Sequence, residues 1–292
     1  VDAYNVAIGH ATGVLVSTGI RNTLIGAFAG QSLATGERNI AIGYNALGSE
    51  TNHGKNVAIG DHALATQQAG ADAYNVAVGT SAGVSITTGV GNTLIGGLAG
   101  DALTTGQRNT ALGTYALSTE DTGSRSIAIG FHALTAQNYN GEAFNIAIGH
   151  NAMDDTNAGS TSLGSEDNIF MGHNAGSGTW TDVASNGNVG IGSYTMDSAL
   201  AGALGNVSLG IYSLSSLTTG DYNIAIGQNA GLSITTGANN IILGRLAGDT
   251  MTATSNTVII GFEAGQAINA TGANGTVAIG YKAGYAITSG AG

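Results

Sequence analysis

The chain has 292 residues, 49 of them Gly and none Pro or Cys, and its 18 acidic and 7 basic side chains leave a net charge of −11. That balance excludes a phosphate-tracking groove for nucleic acid, and the lack of Cys removes disulfides, thiolate metal sites and a Cys nucleophile. No apolar run approaches the roughly 18 residues that a membrane helix needs, so no membrane insertion is expected.

Residues 1–149 read as regular coils. The first strand is expected at Asn5-Val6-Ala7-Ile8-Gly9, where β-branched residues alternate with Asn and Ala at a period of two. This unit recurs with its Gly at Gly9, Gly26, Gly43, Gly60, Gly79, Gly96, Gly113, Gly130 and Gly149, spaced 17, 17, 17 and 19 residues apart, twice over. A 70-residue period therefore overlies the short one, marked by Tyr4-Asn5, Tyr74-Asn75 and Phe144-Asn145. Complete absence of Pro suits such a stack, because nearly every backbone N–H must donate to a neighbouring coil.

Seventeen residues is too short for a helical pair and suits one solenoid coil with two short strands and two turns. Val6 and Ile8, with Ile40/Ile42 and Ile127/Ile129 as equivalents, are expected to face the coil interior. The column Ala7, Leu24, Ala41, Ala58, Ala77 and Leu94 would then face outward. An outward apolar column demands a partner, most simply the same face of an identical chain.

Within 150–206 the register loosens, with Gly172, Gly192 and Gly210 following at 23, 20 and 18 residues, and irregular coils with longer loops are expected there. The single Trp, Trp180, lies in this zone. Exposed on a loop it would stack on a sugar ring, with His173 and Tyr194 as further receptor contacts; folded back, it would cap its longer coil. Residues 207–292 resume regular coils at Gly227, Gly244, Gly261 and Gly280. The chain opens at Val1 and reads as a segment of something longer.

Several columns run through all of these coils. Asn5, Asn22, Asn39 and Asn56 suit an amide ladder, and Gly9, Gly26, Gly43 and Gly60 supply backbone freedom at a turn. Five of the seven basic residues, Arg21, Arg38, Lys55, Arg108 and Arg125, stand immediately before the Asn position. Stacked like charges repel unless acids interleave, and Glu37, Glu50, Glu120 and Asp121 are the candidates. The sharper reading is a stripe that docks an anionic glycan or a neighbouring fibre.

His62 and His132, and His10 and His150, recur at repeat distances and would make a three-ligand site if their column lined a threefold axis. No H-x-H or H-E-x-x-H motif accompanies them, so no metal and no cofactor is assigned. The carboxylate pairs Glu120-Asp121, Asp154-Asp155 and Glu166-Asp167 are adjacent in sequence, where side chains point apart, and a smooth stack offers no cleft between two acids. No catalytic residue and no enzymatic activity is therefore assigned. Thr18, Thr35, Thr88 and Thr105 raise ice binding, but the column breaks at Asn52 and Gln68, and Thr before Gly is ordinary turn chemistry.

The motifs Asn5-Val6-Ala7-Ile8-Gly9, Asn39-Ile40-Ala41-Ile42-Gly43, Ser126-Ile127-Ala128-Ile129-Gly130 and Thr276-Val277-Ala278-Ile279-Gly280 resemble the head repeats of trimeric autotransporter adhesins. They resemble equally the same kind of repeat in bacteriophage tail fibres, and the resemblance covers nearly the whole chain. It implies an all-β fold, a parallel β-solenoid (left-handed β-roll) of about 16 coils of about 17 residues, with three identical chains side by side. The function it implies is a structural and adhesive segment of an extracellular fibre on a virion or cell surface. Coils slightly longer than those of the adhesins favour a phage tail-fibre shaft that attaches to a cell-surface glycan or another host receptor. A bacterial trimeric surface adhesin or an extracellular matrix filament is the alternative, with a polysaccharide-degrading tailspike and an ice-binding solenoid further off.

Overall fold

The computed structural model describes residues 3–137, 139–156, 164–181, 183–268 and 273–287. The chain forms two compact units, Val1–Phe144 and Asn145–Gly292. In the first, β1 (Val6–Ile8), β2 (Thr23–Ile25), β3 (Ile40–Ile42), β4 (Val57–Ile59), β5 (Val76–Val78), β6 (Thr93–Ile95), β7 (Thr110–Leu112) and β8 (Ile127–Ile129) pair in parallel, each with the next. Register is strict: Val6, Ala7 and Ile8 lie opposite Thr23, Leu24 and Ile25. The second unit repeats this with β9 (Ile146–Ile148), β10 (Ile169–Met171), β11 (Val189–Ile191), β12 (Val207–Leu209), β13 (Ile224–Ile226), β14 (Ile241–Leu243), β15 (Val258–Ile260) and β16 (Val277–Ile279). Each unit is a parallel β-solenoid.

Each coil holds one strand, not the two expected. Beyond the strand the backbone alternates in and out of the left-handed region: in the third coil Gly43, Asn45 and Leu47 have φ of 136°, 53° and 51°. That alternation coils the chain too tightly for a second extended segment. Coil-to-coil hydrogen bonds continue there nonetheless, as from Gly13 N–H to Ala29 O at 3.0 Å and from Ser17 N–H to Ala34 O at 2.9 Å, so the backbone stays satisfied around the coil.

The Asn column does more than line up. The Asn22 amide nitrogen donates to Gly36 O across its own coil at 2.8 Å, while its side-chain oxygen accepts the N–H of Asn39 in the next coil at 2.9 Å. Asn75, Asn92 and Asn109 repeat both bonds. Asn56 makes only the second: its oxygen accepts from Asn75 N–H at 3.1 Å, and its amide nitrogen has no acceptor among the described residues. Direct amide-to-amide bonds join Asn92 to Asn75 at 3.3 Å in the first unit and form a continuous run in the second, from Asn145 through Asn168, Asn188, Asn206 and Asn223 to Asn240 at 2.9–3.3 Å. Apart from Asn56, which only ties its coil to the next, each of these Asn closes its coil and ties it to its neighbour.

These bonds overturn the expected facing of the strands. The inner face carries the Asn and the middle strand residue, so Leu24, Ala41, Ala58, Ala77, Leu94, Ala111 and Ala128 are fully buried. Val6, Ile8, Ile40, Ile95 and Leu112 lie exposed on the outer face. The interior is narrow enough for one Asn to span it, and it admits one strand side chain per coil besides the small Ala29, Ala46 and Ala63 columns.

The 70-residue period has a packing cause. Where the fourth residue after the strand's Gly is Gly30, Gly83 or Gly100, the core is filled from three residues further on by Leu33, Ile86 or Leu103. A Cβ on Gly30 would meet the Leu24 and Leu33 side chains at 2.8 and 2.9 Å. Where that residue is instead Leu47, Leu64, Leu117 or Leu134, it fills the core itself, and the later position becomes Glu50, Gln67, Glu120 or Gln137. Two coils of one kind alternate with two of the other.

This places Glu50 and Glu120 inside the coils, not between the surface arginines as expected. Glu50 accepts the N–H groups of Thr51, Asn52, His53 and Ala69 at 2.9–3.2 Å. Glu120 accepts Gly123 N–H at 2.7 Å and the Gln137 amide at 2.8 Å. Burial pushes the Glu120 carboxyl above the usual carboxylate range, against the pull of those hydrogen bonds, and burial likewise raises Asp101, Asp197 and Asp249. An acid whose pKa rises on folding adds stability below its unfolded pKa and loses it as pH climbs through the folded one. The melting temperature should therefore rise on going from about pH 7 to about pH 4.5, and the rise should shrink in Glu120→Gln. A melting temperature that falls on acidification would count against this account of the buried acids.

Candidate assembly surface

The outer face of β1–β8 is a stripe two side chains wide, Val6/Ile8, Thr23/Ile25, Ile40/Ile42, Val57/Ile59, Val76/Val78, Thr93/Ile95, Thr110/Leu112 and Ile127/Ile129. The outer face of β9–β16 has the same character, with Met171, Ile191, Leu209, Ile224, Ile226 and Ile241 exposed. A long, mainly apolar sheet face of this kind, broken in the first unit by Thr23, Thr93 and Thr110, is what monomeric proteins avoid. Strand pairing aligns the columns, so the stripe follows directly from the in-register parallel ladder.

One edge of the first unit's stripe is the basic column. Arg21, Arg38, Lys55, Arg108 and Arg125 all occupy the left-handed region, with φ of 58–66°, and share that position with Tyr4, Tyr74 and Phe144. Compensation comes from acids in the longer coils; among the described residues Glu37, Glu50, Glu120 and Asp121 form no ion pair with an Arg or Lys, and Glu50 lies 3.5 Å from His53 Nδ1 instead. Lys55 Nζ lies 2.6 Å from Asp72 and donates to Tyr74 Oη at 2.9 Å, which holds the Asp72 carboxyl below its usual range and Lys55 above. Arg125 Nε lies 2.8 Å from Glu142, an ion pair without hydrogen-bond geometry, and its guanidinium lies 5.5 Å from the Phe144 ring centre. The two added residues of each 19-residue coil deliver these partners. Arg21, Arg38 and Arg108 are exposed, and among the described residues they make no ion pair or ring contact.

The opposite edge is aromatic. His10, Phe28, Tyr44 and His62 follow one another up the first unit with ring centres 5.2–5.6 Å apart, and Tyr115 packs on Phe131 and His132. In the second unit His150, His173, Tyr194 and Tyr212 continue the pattern, the two tyrosines stacked at 4.9 Å. His173 and Tyr194 therefore belong to this edge and do not surround Trp180. Histidines lie in it as ring partners, and among the described residues no group of three or more His, Asp or Glu could hold a metal.

Trp180 is fully buried, so it offers no face to a sugar. Its indole N–H donates to Gly176 O at 3.0 Å and its ring meets Phe170 edge-on at 5.8 Å. Gly176 and Gly190 make room, since a Cβ on either would lie 2.8 or 2.6 Å from the Phe170 ring. Of the two roles open to this residue in the sequence, packing inside the longer coil is the one observed.

The adjacent carboxylates separate as their spacing implies: Glu120 turns inward while Asp121 accepts the Thr104 hydroxyl outside. Among the described residues no helix is long and apolar enough to cross a membrane. No protein-family model matches the chain, and no curated protein or solved structure matches it either.

Proposed function

We propose that this chain is a structural segment of an extracellular fibre, in which identical copies associate laterally through the Val/Ile stripe, three to an assembly. The observation that carries this reading is the stripe itself, exposed or half-exposed along both units while the inner face of the strands is filled. Burying apolar area of that extent is the main source of free energy available to association. The repeat supplies length and stiffness, and contact with a receptor gains from many weak sites in parallel. Resemblance of the coils to tail-fibre repeats favours a phage shaft on the virion surface, with a cell-surface glycan as the receptor class.

Light scattering on the purified chain tests the core of this reading. A particle of three times the 28.7 kDa chain mass is expected. A stable single-chain particle at micromolar concentration would remove lateral association and the fibre reading with it.

A further inference from the structure

Three Asn-Gly pairs stand in the chain, Asn140-Gly141, Asn186-Gly187 and Asn274-Gly275. An asparagine loses ammonia most readily before Gly, because the next backbone nitrogen can reach the side-chain carbonyl carbon when no Cβ obstructs the approach. In a folded chain that nitrogen must also be free to turn toward the side chain. Hydrogen bonds to a neighbouring coil decide whether it is.

The pairs lie ahead of β9, β11 and β16. In each, the Asn side-chain oxygen accepts a hydrogen bond from the preceding coil: the Thr122 hydroxyl at 2.6 Å on Asn140, Glu166 N–H at 3.0 Å on Asn186 and Ser255 N–H at 2.8 Å on Asn274. Such a donor polarises the carbonyl and stabilises the oxyanion that an attacking nitrogen generates. The electrophile is therefore prepared at all three sites, but the nucleophile is not. Gly187 N–H donates to Glu166 O at 3.1 Å and Gly275 N–H to Ser255 O at 3.2 Å, which holds both nitrogens on the preceding coil. Gly141 N–H has no hydrogen-bond partner among the described residues, although its carbonyl accepts Ser124 N–H at 2.9 Å. Asn140 is exposed, so water reaches it.

We propose that Asn140 is a site of spontaneous deamidation through a cyclic imide, whereas coil-to-coil hydrogen bonds protect Asn186 and Asn274. Gly141 N–H gives its proton to a solvent base and the nitrogen bonds to Asn140 Cγ. The bond from Cγ to the amide nitrogen breaks, and ammonia leaves with a proton taken from water. Water then opens the ring. Cleavage between Cγ and the Gly141 nitrogen gives aspartate, and cleavage of the main-chain bond between the two residues gives isoaspartate. The sum consumes one water and releases one ammonia, with no oxidant and no cofactor. Isoaspartate routes the main chain through the side-chain methylene, one residue before the carbonyl that Ser124 N–H holds. Either product sets a new carboxylate two residues from Glu142, the partner of Arg125. The reaction is intramolecular and does not depend on self-association.

The test ages the full chain in warm, mildly alkaline buffer, with a parallel sample unfolded in urea. Peptide mapping by mass spectrometry follows the one-dalton gain at each of the three sites, and protein isoaspartate methyltransferase reads the isoaspartate formed. In the folded chain Asn140 should react about fivefold or more faster than Asn186 or Asn274, the factor that one net backbone hydrogen bond is worth, with isoaspartate among its products. In urea the three rates should converge, since nothing then holds any of the nitrogens. Equal rates at the three sites in the folded chain, or no reaction there at Asn140, would sink the proposal. So would a preference for Asn140 that persists in urea, which would belong to local sequence and not to the coil. A mass gain without isoaspartate would replace the imide by direct hydrolysis and overturn it as well.

Discussion

Gly96→Ala is expected to disrupt the first unit, whereas Gly97→Ala, one residue later, should leave it intact. Gly96 has φ of 139°, and a Cβ there would lie 2.5 Å from both the carbonyl carbon and the oxygen of Gly113 in the next coil. Both obstacles are backbone in a hydrogen-bonded stack, so neither gives way without breaking the ladder. Gly79 and Gly113 face the same obstruction at 2.4 and 2.3 Å, which makes the column a contact between backbones and not merely a set of turns. A cost of about 3 to 5 kcal/mol follows from combining a Gly-only backbone conformation with a hard clash. Gly97 has ordinary φ and nothing within 4 Å of its added Cβ, so Ala there should be neutral or stabilise by about 0.4 to 1 kcal/mol through the unfolded chain. Thermal and urea unfolding followed by circular dichroism reads both. Because coils interact mainly with their neighbours, the Gly96 variant should also broaden or split the transition. Equal midpoints for the two variants would refute the close backbone stacking.

Ile40→Glu is expected to abolish assembly while leaving the coil folded. Ile40 points outward and is exposed in the isolated chain, so a charge there costs a monomer at most about 1 kcal/mol in strand preference. Buried against the stripe of another copy, the same unpaired carboxylate costs several kcal/mol for each chain. Light scattering should therefore fall to the single-chain mass with an unchanged far-ultraviolet spectrum. Ile224→Glu tests the second unit in the same way. Ala41→Glu, one residue along the same strand but pointing inward, should unfold its coil instead. If Ile40→Glu assembled as well as the wild type, the stripe would not be the interface.

The contrast between Ile40 and Ala41 also shows what the sequence does not display. Alternation along Asn39-Ile40-Ala41-Ile42-Gly43 was legible, and so was the presence of two apolar faces. Which face lies inside is not legible: size alone makes the β-branched pair the natural core, and the structure puts that pair outside. The deciding signal was the Asn: it shares a face with Ala41 and is fully buried in hydrogen bonds that reach across the coil. The outward apolar column is the Val/Ile pair and not the Ala column. Similarly, Trp180 was as consistent with a sugar platform as with a core plug, and only the space left by Gly176 and Gly190 decides between them.

By itself the sequence determined the repeat, its register and its parallel stacking, because a 17-residue period of β-branched triplets closed by Gly admits few other folds. It also determined where the long coils fall. Only the tertiary structure decided that each coil has one strand, that Asp72 and Glu142 neutralise Lys55 and Arg125, and that Glu50 and Glu120 are core residues. Periodicity reports which residues share a face. The width of the coil decides which face can be filled, and that width comes from left-handed turns and cross-coil hydrogen bonds between residues 14 and 17 positions apart.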